Sequence, residues 1–211
     1  MNPQDMKPEE TSSLGVVILG AGASVRMGKP KLLLPWGETT VIGHLVRLWQ
    51  KLGAARIAIV TRPDDGVLMA ELFRLGFSRS LCIENPQPEC GMFSSVVCAA
   101  EWQGWGRRIS SWAIVLGDQP HLQESSLRQL LEFAKRRPES VCQPVFGGRV
   151  GHPVILPRTV FNGLPETPAV TLKDFLNLVT VPRVQCEVSD SKLSLDMDTP
   201  EDYKRLMISA L

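Results

Sequence analysis

The segment Leu14–Lys31, LGVVILGAGASVRMGKPK, constrains the fold more than any other part of the chain. An apolar run, Val16-Val17-Ile18-Leu19, breaks directly into a turn holding Gly20, Gly22, Ser24 and Gly28, with Arg26, Lys29 and Lys31 set among them. A short apolar run bounded by turn residues reads as a buried strand. A glycine-rich cationic turn after it suits an anion: glycines let backbone N–H groups approach closely, and Lys and Arg neutralise the charge. Two familiar phosphate loops do not fit. Walker A has four residues between its glycines and Ser or Thr after its Lys; here five residues separate Gly22 from Gly28, and Pro30 follows Lys29. The dinucleotide fingerprint has a third glycine where this chain has Val25. Taken alone, the stretch also reads as an ordinary strand-to-helix turn with scattered basic residues.

Downstream, strand and helix signals alternate. Apolar residues recur at helical spacing over Thr40–Leu52, and Arg56–Thr61 reads as a buried strand. Val67–Leu75 reads as a helix, Leu81–Ile83 as a short strand, and Gly91–Trp102 as a helix. Trp112–Gly117 is the most strand-like piece, and the Ser125–Lys135 helix follows it. Val141–Leu156 holds two extended pieces around Gly147-Gly148 and Gly151-His152-Pro153. Arg158–Leu164 and Thr171–Val179 read as short helices and Arg183–Val188 as the last strand. Thr199-Pro200-Glu201-Asp202 opens the final helix with an N-cap, a proline at the first position and two acids. This alternation predicts an α/β chain, a mostly parallel sheet with helices on both faces. At 211 residues one domain is expected over 14–211, after a loose polar tail over 1–13.

Composition excludes several classes. The net charge is +1, so nothing electrostatic points to nucleic acid or a membrane surface. No apolar run approaches the roughly 18–20 residues that span a bilayer, and the tail lacks an apolar signal-peptide core, so a cytoplasmic protein is expected. Cys82, Cys90, Cys98, Cys142 and Cys186 form no CxxC pair, which argues against a disulfide framework and a structural zinc site. His44, His121 and His152 are too scattered for a His-based metal centre.

In open parallel sheets, ligands bind beyond the carboxyl ends of the strands. The unusual residues sit there: the cationic loop after the first strand, Asn85 through Ser95 after the third, Asp118 after the fourth, and Asp196 and Asp198 after the last. The start Gly91-Met92-Phe93-Ser94-Ser95 offers free amides and hydroxyls to an anion or a ring edge, or simply caps its helix. A cationic loop holds polyphosphate. Carboxylates facing it make sense with a divalent cation between, and hard oxygen ligands suit Mg²⁺. That set fits displacement at phosphorus with pyrophosphate as leaving group. The plainer readings are a turn-forming Asp118 and a helix-capping Asp198.

Five segments together resemble the MobA-like NTP transferase family: Ile18–Gly37, Asn85–Val96, Val115–Leu122, Gly147–Leu156 and Leu195–Tyr203. The resemblance implies a three-layer α/β/α, Rossmann-like nucleotide-binding fold of the GT-A nucleotidyltransferase type. It implies Mg²⁺-dependent transfer of a nucleoside monophosphate from an NTP (CTP or GTP) to a phosphorylated acceptor. In the molybdenum cofactor cytidylyltransferase branch the acceptor is the molybdenum-bearing pterin phosphate, and a molybdenum hydroxylase receives the product. By the same resemblance Gly20, Ala21 and Gly22 face the base, and Ser24, Arg26 and Lys31 hold the triphosphate. Lys31, Arg26 and Asp118 act in catalysis. Asn85, Ser94 and Ser95 line the nucleotide pocket, and Asp118 with Asp198 or Asp196 carries the metal. Gly151, His152, Pro153 and Lys173 lie on the acceptor side. The chain departs from the family at Gly20, where alanine is usual, and lacks the family's Gly-Asp loop before Lys173. Transfer to a sugar phosphate, a non-catalytic maturation protein that kept the fold, and an NAD-dependent oxidoreductase are the competing readings. The failed fingerprint speaks against the last.

Overall fold

The computed structural model describes residues 13–208; the expected tail lies outside them except for Ser13, which already begins the first strand. The elements run β1 (Ser13–Leu19), β2 (Pro35–Trp36), β3 (Thr39–Thr40), α1 (Val41–Lys51), β4 (Arg56–Thr61), α2 (Gly66–Arg74), β5 (Cys82–Glu84) and α3 (Met92–Glu101). They continue β6 (Ile109–Leu116), α4 (Glu124–Lys135), β7 (Val141–Phe146), β8 (Arg149–Val150), β9 (Val154–Pro157), α5 (Arg158–Asn162), α6 (Leu172–Leu178), β10 (Arg183–Glu187) and α7 (Pro200–Ile208). The main sheet has the order β10-β7-β9-β6-β1-β4-β5, with β8 pairing off β7.

β1 lies between β4 and β6 and is parallel to both, so its carboxyl end is flanked by theirs. β9 runs antiparallel to β6 and β7, an inversion inside a sheet that is parallel apart from it and the short β8. Its source is local. Phe146 pairs with Arg149 across a two-residue turn in which Gly147 and Gly148 both take positive φ, 55° and 77°. That conformation is natural for glycine and makes a hairpin turn whose twist matches the strands.

The pleat sorts the core into two layers. On β1, Val16 and Ile18 face one side and Val17 the other; on β4, Ile57 and Ile59 oppose Ala58 and Val60; on β6, Ala113 and Val115 oppose Trp112 and Ile114. The first side packs against α1, α2, α4 and α7 through Leu45, Leu72, Leu130 and Leu206. The second packs against α3, α5 and α6 through Val96, Phe161 and Phe175. Three layers result, and strands covered on both faces read as unbroken apolar runs, as β1 does. Trp112 stacks flat on Phe161 at 4.2 Å, and Trp105 meets both edge-on. The tryptophans are therefore core packing.

Helix starts follow their caps. Thr40 accepts from the Gly43 amide, Asp65 from Leu68 and Thr171 from Asp174. Thr199 accepts from the Asp202 amide while the Asp202 carboxylate accepts from the Thr199 amide, a reciprocal cap on α7. Tyr203 of α7 donates to the Pro35 carbonyl at 2.7 Å, fixing that helix to the β2–β3 ribbon. Among the described residues no helix is long and apolar enough to cross a membrane.

Candidate active site

β1 and β6 end side by side, Leu19 opposite Leu116, and each is followed by a glycine. The Gly20 amide donates to the Val60 carbonyl at 2.8 Å and the Gly117 amide to the Leu19 carbonyl at 3.2 Å. A Cβ at residue 20 would lie 2.9 Å from the Val60 oxygen and 3.0 Å from Leu32 Cδ1; at residue 117 it would lie 2.6 Å from the Leu19 oxygen and 2.8 Å from Leu32 Cδ2. Both strands end in glycine because a carbonyl of the neighbouring strand and buried Leu32, wedged against their ends, leave no room for a Cβ. That wedge anchors the next residue upstream, Lys31.

The loop between Gly20 and Lys31 closes on Ser24. Ser24 has a φ of 51°, and its hydroxyl accepts the Lys31 amide at 3.2 Å. The Lys31 ammonium then reaches between two carboxylates, 2.6 Å from Asp198 Oδ1 and 3.3 Å from Asp118 Oδ2. Arg26 Nη2 holds the second oxygen of Asp198 at 2.7 Å. Asp118 leaves the end of β6, and its carbonyl accepts the amide of fully buried Met197 at 3.3 Å, which draws Asp198 alongside. Thr199 caps α7, so the Asp198 carboxylate is free to face the two cations. Burial pushes the Asp118 carboxyl above its usual range; the Lys31 ammonium opposes this, while Asp196 and Asp198 add to it.

The cleft over this cluster has a volume of about 340 Å³. Gly20, Ala21, Gly22, Ser24, Lys31 and Asp118 line it from the strand ends; Pro88, Gly91, Met92 and Ser95 line it from the start of α3. Gly91 sits at φ 91° and ψ 176°, a conformation open essentially only to glycine. No side chain caps α3, so its first amides remain available beside the cleft.

Several expected site residues lie elsewhere. Asn85 is 1% exposed, and its amide is used up internally, donating to Ser94 and Ser95 and accepting from the Gln87 amide. It holds α3 against the end of β5 and does not line the cleft. Ser94 bonds the Gly91 carbonyl at 2.7 Å, so only Ser95 of the serine pair lines the cleft. Asp196 accepts from Gln119 at 3.0 Å, leaving Asp198 as the partner that meets Asp118 through Lys31. Lys173 is exposed on α6, a helix packed through Phe175 on Phe93, and does not line the cleft.

Gly151 abuts Leu193, and burial lowers the pKa of the adjoining His152 imidazole, whose Nδ1 is enclosed without a partner. Neither these two nor Pro153 lines the cleft. Leu32, Gly117 and Gln119 were missed from sequence. The Gly and Gln flanking Asp118 at a strand end were the available signal; nothing marked Leu32.

Among the described residues no three His, Cys, Asp or Glu side chains gather closely enough to hold a metal alone. Two carboxylates do meet at a cation, the Lys31 ammonium. Such an oxygen pair fits Mg²⁺, which binds through one or two carboxylates and completes its shell with phosphate oxygens.

The MobA-like NTP transferase domain model matches residues 16–181, more than half of the chain. The chain is 26% identical over 192 residues to the molybdenum cofactor cytidylyltransferase of Escherichia coli strain K12, covering 91% of this chain and 94% of that one. A nucleotidyl transferase structure from Methanothermobacter superposes with a TM-score of 0.77 at 20% identity, over 94% of this chain and 97% of that one; the likeness is one of fold. A Mycobacterium tuberculosis H37Rv protein, solved as a complex with manganese, matches with a TM-score of 0.64 at 25% identity, over 94% and 100% of the two chains. With an intact cation–carboxylate cluster at the strand ends, the chain is a nucleotidyltransferase and belongs to the MobA-like NTP transferase family.

Proposed function

We propose that this nucleotidyltransferase moves CMP from CTP, with Mg²⁺, to the phosphate of a molybdenum-bearing pterin, releasing pyrophosphate. The observation that carries the reading is Lys31 and Arg26 gathered on Asp118 and Asp198 at the floor of a glycine-lined cleft. The name of the Escherichia coli relative supports the acceptor and the base.

The chain's own residues have these roles. Backbone from Gly20 to Gly22 borders the base, and the amides opening α3 face the polar edge of the nucleotide. Ser24 fixes the loop that aims Lys31 and Arg26 at the triphosphate. An acceptor phosphate oxygen attacks the α-phosphorus; the new P–O bond forms as the bond to the β-phosphate oxygen breaks, and its electrons leave with pyrophosphate. Lys31 and Arg26 stabilise charge developing on the transferring and leaving oxygens. Asp118 and Asp198 would hold Mg²⁺, which supplies charge neutralisation to the phosphate oxygens. No side-chain nucleophile is required.

The acceptor side differs from the usual family pattern, with Lys173 away from the cleft, so a different phosphorylated small molecule is the second reading. The reading also places the enzyme in the cytoplasm, with a molybdenum hydroxylase as recipient of its product. The test is pyrophosphate release with CTP, GTP, ATP and UTP in turn, with Mg²⁺ and with either molybdopterin or sugar phosphates. Release with CTP and molybdopterin supports the proposal. Release with a sugar phosphate alone supports the second reading, and none with any pair refutes both.

A further inference from the structure

A second, larger cavity of about 1050 Å³ opens at the opposite pole of the sheet. It is bounded by Leu14 at the start of β1, Ser110 and Ser111 at the start of β6, Ile155 and Pro157 of β9, and the later turns of α4. The catalytic cleft lies at the other ends of β1 and β6. The eight residues of β6 at about 3.3 Å each separate the two by roughly 25 Å.

The lining carries six cations, Arg107, Arg108, Arg128, Lys135, Arg137 and Arg158, against one carboxylate, Glu132. Three of the six have an intrachain explanation. Lys135 pairs with Glu132 at 2.6 Å and Arg128 with Glu124 at 2.8 Å. Arg137 follows the end of α4, where a cation complements the helix dipole, and stacks on Phe133 at 3.8 Å. The other three pair with no acidic side chain among the described residues. Arg107 and Arg108 are exposed and make no ion pair among the described residues. Arg158 opens α5, the end where a helix dipole disfavours a cation, and its guanidinium is fixed by the carbonyls of Arg107 and Ile109. Arg107, Arg108 and Arg158, drawn together where Arg158 bonds the Arg107 carbonyl, thus line one cavity and form no ion pair among the described residues. The floor beneath is apolar, with Leu14, Leu52, Leu131 and Ile155.

We propose that this cavity is a second ligand site, taking an organic polyphosphate with a flat apolar body, of the nucleoside di- or triphosphate class. Arg107, Arg108 and Arg158 hold the phosphates, since guanidinium forks pair bidentately with phosphate oxygens. The apolar floor receives the base. The volume, at the upper end of small-molecule pockets, admits a nucleotide.

The test is ATP binding to the full chain by calorimetry, in chelator and at low salt. It uses wild type, Lys31→Met, the Arg107→Gln/Arg108→Gln pair, and the combination of all three changes. The expected result is an ATP site that survives Lys31→Met, weakens at least tenfold in the arginine pair in either background, and weakens steeply with added salt. Tripolyphosphate should compete at least tenfold less well than ATP, since it lacks the base. Because Arg107 and Arg108 are exposed and remote from the cleft, their variant should keep the wild-type melting curve and pyrophosphate release. The proposal is overturned if Lys31→Met abolishes all ATP binding, or if the arginine pair leaves the affinity unchanged. Equal binding of tripolyphosphate overturns the assigned base and leaves a bare polyphosphate site.

Discussion

Replacing Lys31 by methionine tests the cluster most searchingly, because the apolar stem is kept and only the charge is lost. The ammonium lies 2.6 Å from Asp198 and 3.3 Å from Asp118. At 2.6 Å the gross attraction is about 6 kcal/mol for an effective dielectric of about 20. Most of this is offset by desolvation, and the net worth of hydrogen bonds to charged groups is about 1.5–3 kcal/mol. Asp198 keeps Arg26 at 2.7 Å, whereas Asp118 loses its one salt-bridge partner among the described residues. A loss of about 2 kcal/mol is expected without metal, a fall in Tm of roughly 4–8 °C for a domain of this size. A divalent ion must displace the ammonium in the wild type, whereas in the variant it meets an unpaired Asp118 beside an Asp198 held only by Arg26. Saturation at a hundredfold over Kd contributes about 2.7 kcal/mol, so Mg²⁺ or Mn²⁺ should raise the variant's Tm more than the wild type's. Thermal melts with metal titration measure both. A variant as stable as wild type, with an identical metal-induced shift, would refute the reasoning.

Three further outcomes are expected. Burial holds the His121 and His152 imidazoles below their ordinary pKa, so they stabilise the fold fully above about 6.5 and lose that contribution as pH falls toward the folded values. Urea midpoints should therefore drop from pH 7 to pH 5, and His121→Gln should flatten the drop; an unchanged slope argues against a buried neutral ring. Gly20→Ala drives a methyl group against the Val60 carbonyl and Leu32, costing about 1–3 kcal/mol by overpacking. Adding Leu32→Val should recover only part of the melting temperature, because the carbonyl is fixed in the sheet; full recovery would assign the clash to Leu32 alone. Gly91→Ala meets nothing within 4 Å, so its loss of about 1–3 kcal/mol is backbone strain, and an unaltered melt would contradict the φ of 91°.

The legible parts of the molecule were those written locally. Val16 to Leu19 with the glycines after them, the Trp112–Gly117 run with Asp118 beyond it, and the Thr199-Pro200 start each carry their physics within a few residues. Their shared position at strand ends followed from the alternation of elements. What sequence could not show depends on distant pairs. The insertion of β9 between β6 and β7, unlike its local reversal, is decided by its fit there. Asn85 looked like a pocket residue because of its strand-end position, yet Ser94, Ser95 and the Gln87 amide consume its hydrogen bonds. Gly20 lines the cleft as its place after β1 suggests, but its lack of a side chain answers to Leu32, twelve residues on, and to Val60 on the neighbouring strand. Asp196 and Asp198 could be told apart only once Gln119 and Lys31 had chosen between them.

In the proposed reaction Lys31 and the paired aspartates drive transfer at the α-phosphorus. Its most direct test is a single turnover with CTP labelled at the α-phosphorus and molybdopterin as acceptor, in wild type, Lys31→Met and Asp118→Asn. Label is expected in the acceptor for wild type, with a loss of about 10²–10³-fold in rate for each variant. Label transfer within a few-fold of wild type in both variants would contradict this expectation.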